Sequence, residues 1–400
     1  MPQSVSEDAR SYRLTNIDFL RGLVIVVMAI DHARDFFLAD TLLDPMNQPD
    51  VPASLYLTRW ITHFCAPVFV FLAGTSAGLM AARKSPRELG AFLCKRGLWL
   101  IFVELAIIST SVTFAPQGIA EIGGLVLVFL QVIWAIGASM VLLGAAQFLG
   151  ARTGLYLGVL ILLGHNLLDP LWPAPDMESG ASSLWALLFY QGSFILGPFF
   201  IMEIYPLLAW FGVMLLGFGS AFVFAKPPPV RDRLLIGTGT AMIATFALLR
   251  LSGLYGDANP WQAQNVGLLA TVFDFMNVTK YPPSLLFLLA TLGPMALLAG
   301  VADRLGGWLK ETLVMFGRVP FAFYVAHFIL LHLMAMALGV MQGFRAGQFA
   351  TFFPFFPAGY GSGLAGIYLA WLLALVILYP FCRWMAGVKS RRSDWWLSYL

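Results

Sequence analysis

Cysteine is nearly absent: Cys65, Cys94 and Cys382 are the three thiols in 400 residues, too few and too scattered for a disulfide framework or a cysteine-based zinc site. Charge is scarce too. Asp, Glu, Lys and Arg make up 11% of the chain, against roughly a quarter in soluble globular domains, which excludes an ordinary water-soluble fold. The sequence also lacks a Walker motif, a dinucleotide-binding glycine fingerprint, a Gly-x-Ser-x-Gly elbow and a nucleic-acid-binding motif. There is no internal repeat and no low-complexity run. Five histidines are present, but no two ligands have metal-site spacing, so no metal is expected.

What is there is apolar. Hydrophobic residues make up 59% and the mean hydropathy is +0.80, the profile of an all-α, polytopic transmembrane helix bundle. Stretches of about 20 residues, enough for a ~30 Å hydrocarbon core, fall near 17–38, 61–82, 97–113, 123–146, 153–169, 204–224, 234–252, 283–302, 319–341 and 364–385. Basic residues sort cleanly between them. Eighteen lie on one side of these ten spans, and five, Arg34, Arg59, Arg250, Lys280 and Arg345, on the other, with Arg21 inside the first span. The positive-inside rule then puts both termini in the cytoplasm. One domain, 1–400, is expected, with cytoplasmic tails 1–16 and 386–400. Gly22–Ile30 has the length of a signal-peptide core, but Asp31, His32, Arg34 and Asp35 stand where a small-residue cleavage site belongs, so the segment reads as an uncleaved helix. Residues 184–200 are apolar but interrupted by Gly192, Gly197 and Pro198, and read as a re-entrant or interfacial piece. Segment 264–277 reads as a helix lying on the membrane or capping a cavity.

The first span carries the chemistry. Each ionisable group inside a bilayer costs roughly 2.5–3.5 kcal/mol on insertion scales unless it pairs or faces a cavity. At 100° per residue, Asp18, Arg21, Asp31, His32 and Asp35 fall within about 140° of one another, so this helix is built around a polar site. Snorkelling explains Arg21, Arg34 and Asp35, and Asp31 can pair with Arg34; His32, about 22 Å from the cytoplasmic end, is left without such an account. His63, His327 and His332 also lie within spans, where a histidine can equally be a structural bond between helices. His327 and His332 point about 140° apart, so one cavity does not receive both. His165, with Asn166 and Asp169, ends the fifth span at the outer surface. Glu104 needs a partner, and Arg21 or Arg96 are the candidates on charge.

Several segments together resemble a known family: Asn16-Ile-Asp18-Phe-Leu-Arg21-Gly-Leu with Met28-Ala-Ile-Asp31-His32-Ala-Arg34-Asp35; Trp60-Ile-Thr-His63-Phe-Cys-Ala-Pro67; Lys95-Arg96-Gly-Leu-Trp; Gln131-Val-Ile-Trp-Ala-Ile-Gly137; Tyr281-Pro-Pro-Ser-Leu-Leu; and Gly317-Arg-Val-Pro-Phe-Ala-Phe-Tyr-Val-Ala-His327. The chain resembles the heparan-α-glucosaminide N-acetyltransferase catalytic-domain-like membrane proteins of bacteria. More distantly, the Arg21-Gly-Leu…His32 spacing resembles the first helix of bacterial membrane O-acyltransferases. The resemblance implies a multi-pass protein of the bacterial inner membrane. It would pass an acyl group from cytoplasmic acyl-CoA or acetyl-CoA to an acceptor on the far side, a sugar or glycan. In the lysosomal enzyme of the family, a histidine before the second helix is implicated in acetyl transfer. Residues 39–59 here contain no histidine, so an acetyl-histidine route is not carried over.

For such a reaction His32 is the expected base, with Asp31 or Asp35 orienting its ring and His63 as a donor or second base. Arg96, Lys95 and Arg318 are the expected contacts to CoA phosphates, and Arg21 to the pantetheine path. Tyr281 and His327 are the expected contacts to the acceptor. The expected partners are the lipid bilayer, a small-molecule or glycan acceptor and, as a homodimer, a second copy of the chain; no nucleic acid is expected. The alternative from another class is a proton-coupled transporter or flippase of a small polar or amphipathic solute, since buried Asp, His and Arg also suit a carrier.

Overall fold

The structure, a computed structural model, describes residues 14–39, 45–47, 51–171, 185, 187–392, 394 and 397. The chain opens with α1 (Thr15–Phe37). Next, α2 (Ala53–Ile61) runs through a 3₁₀ turn into α3 (Cys65–Ala81). A Ser85–Glu88 capping box, with proline in the first turn, starts α4 (Pro86–Phe102). A π-helical turn, Val103–Ile108, prolongs it into α5 (Ser109–Thr113). Strand β1 (Val126–Leu130) leads into α6 (Val132–Ala146), then α7 (Ala151–Gly164). After the hairpin β2 (Gly192–Leu196) and β3 (Phe199–Glu203) come α8 (Leu207–Phe224), α9 (Pro228–Ser252), the short α10 (Leu268–Met276) and α11 (Leu285–Val301). The chain closes with α12 (Trp308–Arg318), α13 (Pro320–Met341) and α14 (Leu364–Arg391).

Eight helices among the described residues are long and apolar enough to cross a membrane: the continuous 53–81 stretch, α6, α7, α8, α9, α11, α13 and α14. The protein is a multi-pass membrane protein. The other two expected spans correspond to α1, which is of crossing length but carries more charge, and to the α4–α5 helix, which the π-helical turn interrupts. Outer helices α9 and α14 present Leu248, Leu251, Leu369, Leu372 and Val376 to the surroundings, as lipid-facing helices do.

Helix α1 is central rather than lipid-facing, packed against α3, α12, α13 and α14. Its closest neighbour is set by two glycines. A side chain at Gly22 would collide with the Leu313 carbonyl, and one at Gly317 with the Asp18 carbonyl. The two backbones therefore touch, the small-residue contact that drives helix association where lipid offers no hydrophobic force. Arg21 and Arg318 each adjoin one of these glycines in the chain.

The fourth expected span departs from a plain helix. Residues 123–146 begin with Gly123 and Gly124 at positive φ, then form β1, and only after Gln131 become α6. Strand β1 pairs in parallel with β3, which pairs antiparallel with β2, in the order β1-β3-β2. Residues within 184–200 thus enter a hairpin turned at Gly197, whose φ is 58°. Backbone pairing within this sheet satisfies groups that a non-helical segment would otherwise leave bare at membrane depth. Its register sets Leu130 beside Glu203, so the strands deliver Gln131 and Tyr205 to the same place. The segment 264–277 contains α10, as the sequence suggests.

Candidate active site

Two cavities enter the bundle from opposite ends of the same helices. The smaller, about 310 Å³, is lined by Arg21 and Ile25 of α1, Phe69, Ala73, Ser76 and Met80 of α3, and Tyr324 of α13. The larger, about 880 Å³, is lined by Asp31, His32, Arg34 and Asp35 of α1, Arg59 and His63 at the other end of the α2–α3 helix, and Phe328 of α13. Residues on α6 divide in the same way: Val132 and Ile133 face the small cavity, and Gln131 faces the large one. Four residues separate Tyr324 from Phe328 and six separate Ile25 from Asp31, so at 1.5 Å rise per residue the septum is about 6–9 Å thick.

His32 and His327 form that septum. His32 Nδ1 lies 2.6 Å from His327 Nε2, the rings stack at 4.9 Å, and Tyr324 stands 6.4 Å from His32 on the other side. Hydrogen-bond partners assign the tautomers. His327 Nδ1 is 3.2 Å from the Phe323 carbonyl, an acceptor only, so Nδ1 carries the proton. His327 Nε2 is then the acceptor and His32 Nδ1 the donor. This leaves the lone pair of His32 on Nε2, outside the pair and available to take a proton. His327 is fully buried, whereas His32 keeps surface on the large cavity.

The two α1 carboxylates are engaged by arginines. Arg59 Nη1 donates to both oxygens of Asp31 at 3.1 and 2.9 Å. Arg34 reaches Asp31 at 3.0 Å and Asp35 at 2.6 Å. The bonded partner of the His32 ring is His327, and both carboxylates serve the arginine quartet beside it. Tyr281 lines the large cavity with its hydroxyl 3.3 Å from that of Tyr205. His63 lines it as well, with Nδ1 3.1 Å from the Arg59 carbonyl, and packs against Phe287.

Arg21, Arg96, Arg318 and Lys389 line the small cavity. Arg21 is fixed by bonds to Ser76 Oγ and to the Leu72 carbonyl. Lys95, the neighbour of Arg96, is exposed and does not line the cavity. Lys389, on α14, was not singled out by the sequence reading, since a lysine near a terminal basic run looks like topology alone.

Other buried polar groups hold the frame. Glu104 meets neither Arg21 nor Arg96; it accepts the Trp134 backbone N–H at 3.0 Å and so caps the start of α6, where a carboxylate is favoured by free N–H groups and the helix dipole. His165 bonds the Pro283 carbonyl at 2.9 Å, and Asn166 accepts from the Leu285 N–H, tying α7 to α11. His332 faces two carbonyls, Ser111 at 3.0 Å and Phe349 at 2.7 Å, and stacks on Phe114 at 4.0 Å. Among the described residues no three His, Cys, Asp or Glu side chains gather as a metal site requires.

Sequence reading missed Arg59, Gln131, Tyr205 and Lys280 as lining of the large cavity. Arg59 and Lys280 looked like ordinary outer-side charges; Gln131 stood in a segment of family resemblance but with no role assigned, and Tyr205 carried no signal without the sheet. Two atoms near the septum, Tyr324 Oη and Gln131 Nε2, are buried without a hydrogen-bond partner among the described residues.

Fold and site together define a multi-pass helical protein with a buried histidine pair between two opposed cavities. A family model described as "Heparan-alpha-glucosaminide N-acetyltransferase, catalytic" matches residues 13–249, more than half of the chain, and the protein belongs to that family of transmembrane acetyltransferase-like proteins. No curated protein matches the chain. The matched region holds Arg21, His32, Arg59, His63 and Arg96. Lys280, Tyr281 and Arg318 lie beyond it and line the same two cavities, and His327, also beyond it, lines neither and is buried against His32.

Proposed function

We propose that the protein is an acyltransferase that takes an acyl group, acetyl in the first instance, from acyl-CoA in the small cavity and passes it to a hydroxyl or amine of an acceptor in the large one. The basic end of the bundle would then be cytoplasmic, and the acceptor a sugar or glycan on the far side. One observation carries this reading: the two cavities approach each other from opposite ends of the same helices, and His32, with a lone pair on Nε2, stands on the large-cavity side of the septum between them.

The chemistry follows from the assigned tautomers. Arg96, Arg318 and Lys389 supply cationic donors for CoA phosphates at the mouth of the small cavity, and Arg21 lies further in, along the pantetheine path. The thioester comes to rest beside Tyr324, and the septum of about 6–9 Å has to part between Tyr324 and His32 for the acceptor's heteroatom to come within the roughly 3–3.5 Å that attack requires. His32 Nε2 removes the proton from the acceptor's O–H or N–H as the heteroatom attacks the thioester carbonyl. The new C–O or C–N bond forms, negative charge collects on the carbonyl oxygen, and the Tyr324 hydroxyl and Gln131 amide are the buried donors that meet it. Collapse breaks the C–S bond, and the proton held by His32 passes to the departing CoA sulfur. His327 keeps Nε2 of His32 aimed at the acceptor throughout, and Tyr281 and His63 line the acceptor's chamber.

Transfer of label from radiolabelled acetyl-CoA to a panel of sugars, by protein reconstituted in vesicles, tests the reading. His32→Ala is expected to cut turnover roughly a hundred- to ten-thousandfold with the acetyl-CoA dissociation constant unchanged. Wild-type turnover in that variant removes His32 as the base.

A further inference from the structure

Five side chains of the acidic and basic types line the large cavity among the described residues: Asp31, Arg34, Asp35, Arg59 and Lys280. Four of them neutralise one another in the arginine–aspartate quartet. Lys280 is the remainder. Its side chain makes no hydrogen bond or ion pair among the described residues, and its ammonium lies 5.0 Å from the centroid of the Tyr281 ring. Of the six lysines in the chain, it is the one found buried among the described residues, at 8% exposed.

The Lys280 ammonium opens onto the cavity with no bonded counter-ion among the described residues, and a single aromatic face returns only about 0.5–2 kcal/mol. The surrounding backbone nevertheless holds the residue firmly. Asp257 accepts from both the N–H and the hydroxyl of Thr279 at 2.8 Å. Arg250 binds the Asn277 carbonyl at 2.7 Å, and the Ser284 N–H donates to the Thr279 carbonyl. Lys280 is thus fixed in place, in a chamber that also holds His32 and His63, and among the described lining residues one positive charge is in excess.

We propose that Lys280 is the anion receptor of the large cavity, and that the acceptor carries a carboxylate or a phosphate group that pairs with it. The inference rests on the acyl-transfer reading for the word acceptor, but the anion site itself does not. A uronic acid and a sugar phosphate share the required chemistry, and the bonded quartet leaves Lys280 as the group that tells either from a neutral sugar.

The test uses the full chain in lipid nanodiscs, with glucuronate, glucose 6-phosphate and glucose as probes, and with Lys280→Met and Lys280→Arg as variants. Wild-type protein is expected to bind at least one charged probe about tenfold or more tighter than glucose. Lys280→Met should bring that ratio near one, and Lys280→Arg should keep it. Which charged probe binds tighter tells a carboxylate acceptor from a phosphate one. Stabilisation of Lys280→Met by acetyl-CoA, whose cavity does not include Lys280, verifies that the variant is folded. Equal binding of all three probes by wild type, binding of none, or a preference that survives Lys280→Met overturns the proposal. Label transfer from acetyl-CoA is read in parallel. Charge preference without transfer leaves the anion site standing and removes the acyl-transfer reading; transfer to glucose and glucuronate alike, in wild type and Lys280→Met, does the reverse.

Discussion

His327 and His332 stand little more than one turn apart on α13, both without exposed surface, and differ in where the second ring nitrogen goes. His332 meets a backbone carbonyl with each nitrogen, so the whole ring is spent on holding the 111 and 349 segments together. His327 spends one nitrogen on its own helix and turns the other to a second imidazole, which fixes that partner's tautomer and leaves the partner a lone pair. Burial therefore does not distinguish a histidine that only holds the frame from one that the proposed reaction would use. The chemical type of the partner does.

Three substitutions bear on this contrast. His327→Phe keeps the stacked shape but removes the acceptor that orients His32. Turnover is expected to fall by up to about a hundredfold, the scale of a small misplacement of a reacting group. Binding of acetyl-CoA should hold, and the acidic limb of the pH–rate profile should shift as His32 loses its partner. An unshifted profile with only a lowered melting temperature would place His327 with His332 instead. Arg96→Ala, on the donor side, should weaken acetyl-CoA binding about tenfold, in line with the loss of one charged hydrogen bond; an unchanged dissociation constant removes Arg96 from the donor site. The mildest effect on chemistry is expected for His332→Phe. It removes the one N–H that the neutral ring donates to the Ser111 or Phe349 carbonyl, at about 1–3 kcal/mol, seen as a lower unfolding midpoint, while turnover per folded molecule stays within about twofold.

Much of the bundle is legible in hydropathy, because a helix that crosses lipid must be long and apolar whatever it does. The fourth span shows where this fails: Val126-Leu-Val-Phe-Leu130 is as hydrophobic as a helix, and a short apolar run cannot be told from a buried strand by periodicity. The polar face of α1 is likewise legible, since period and charge suffice to find it. Its pairing was not. Angular position on one helix says nothing about which other helix faces it, so His32 and His327 could be placed at similar depth but not joined. Glu104 went astray for a related reason. Charge suggested an arginine, whereas the actual partner is the start of α6, a set of backbone N–H groups that a sequence does not display. Lys280 and Arg59 were hidden by the topology rule itself, which accounts for a basic residue at a helix end before any chemistry is asked of it.

The thin septum has an electrical consequence. If both chambers hold water and open to opposite faces, as the proposed reaction requires, most of any voltage across the membrane drops over these few ångströms rather than over the full bilayer. A charge displaced through the whole of that drop gains or loses about 2.3 kcal/mol per 100 mV. A proton lodged on His32 sits at the edge of this focused field, so the energised state of the membrane becomes a term in how readily that ring accepts it and lets it go.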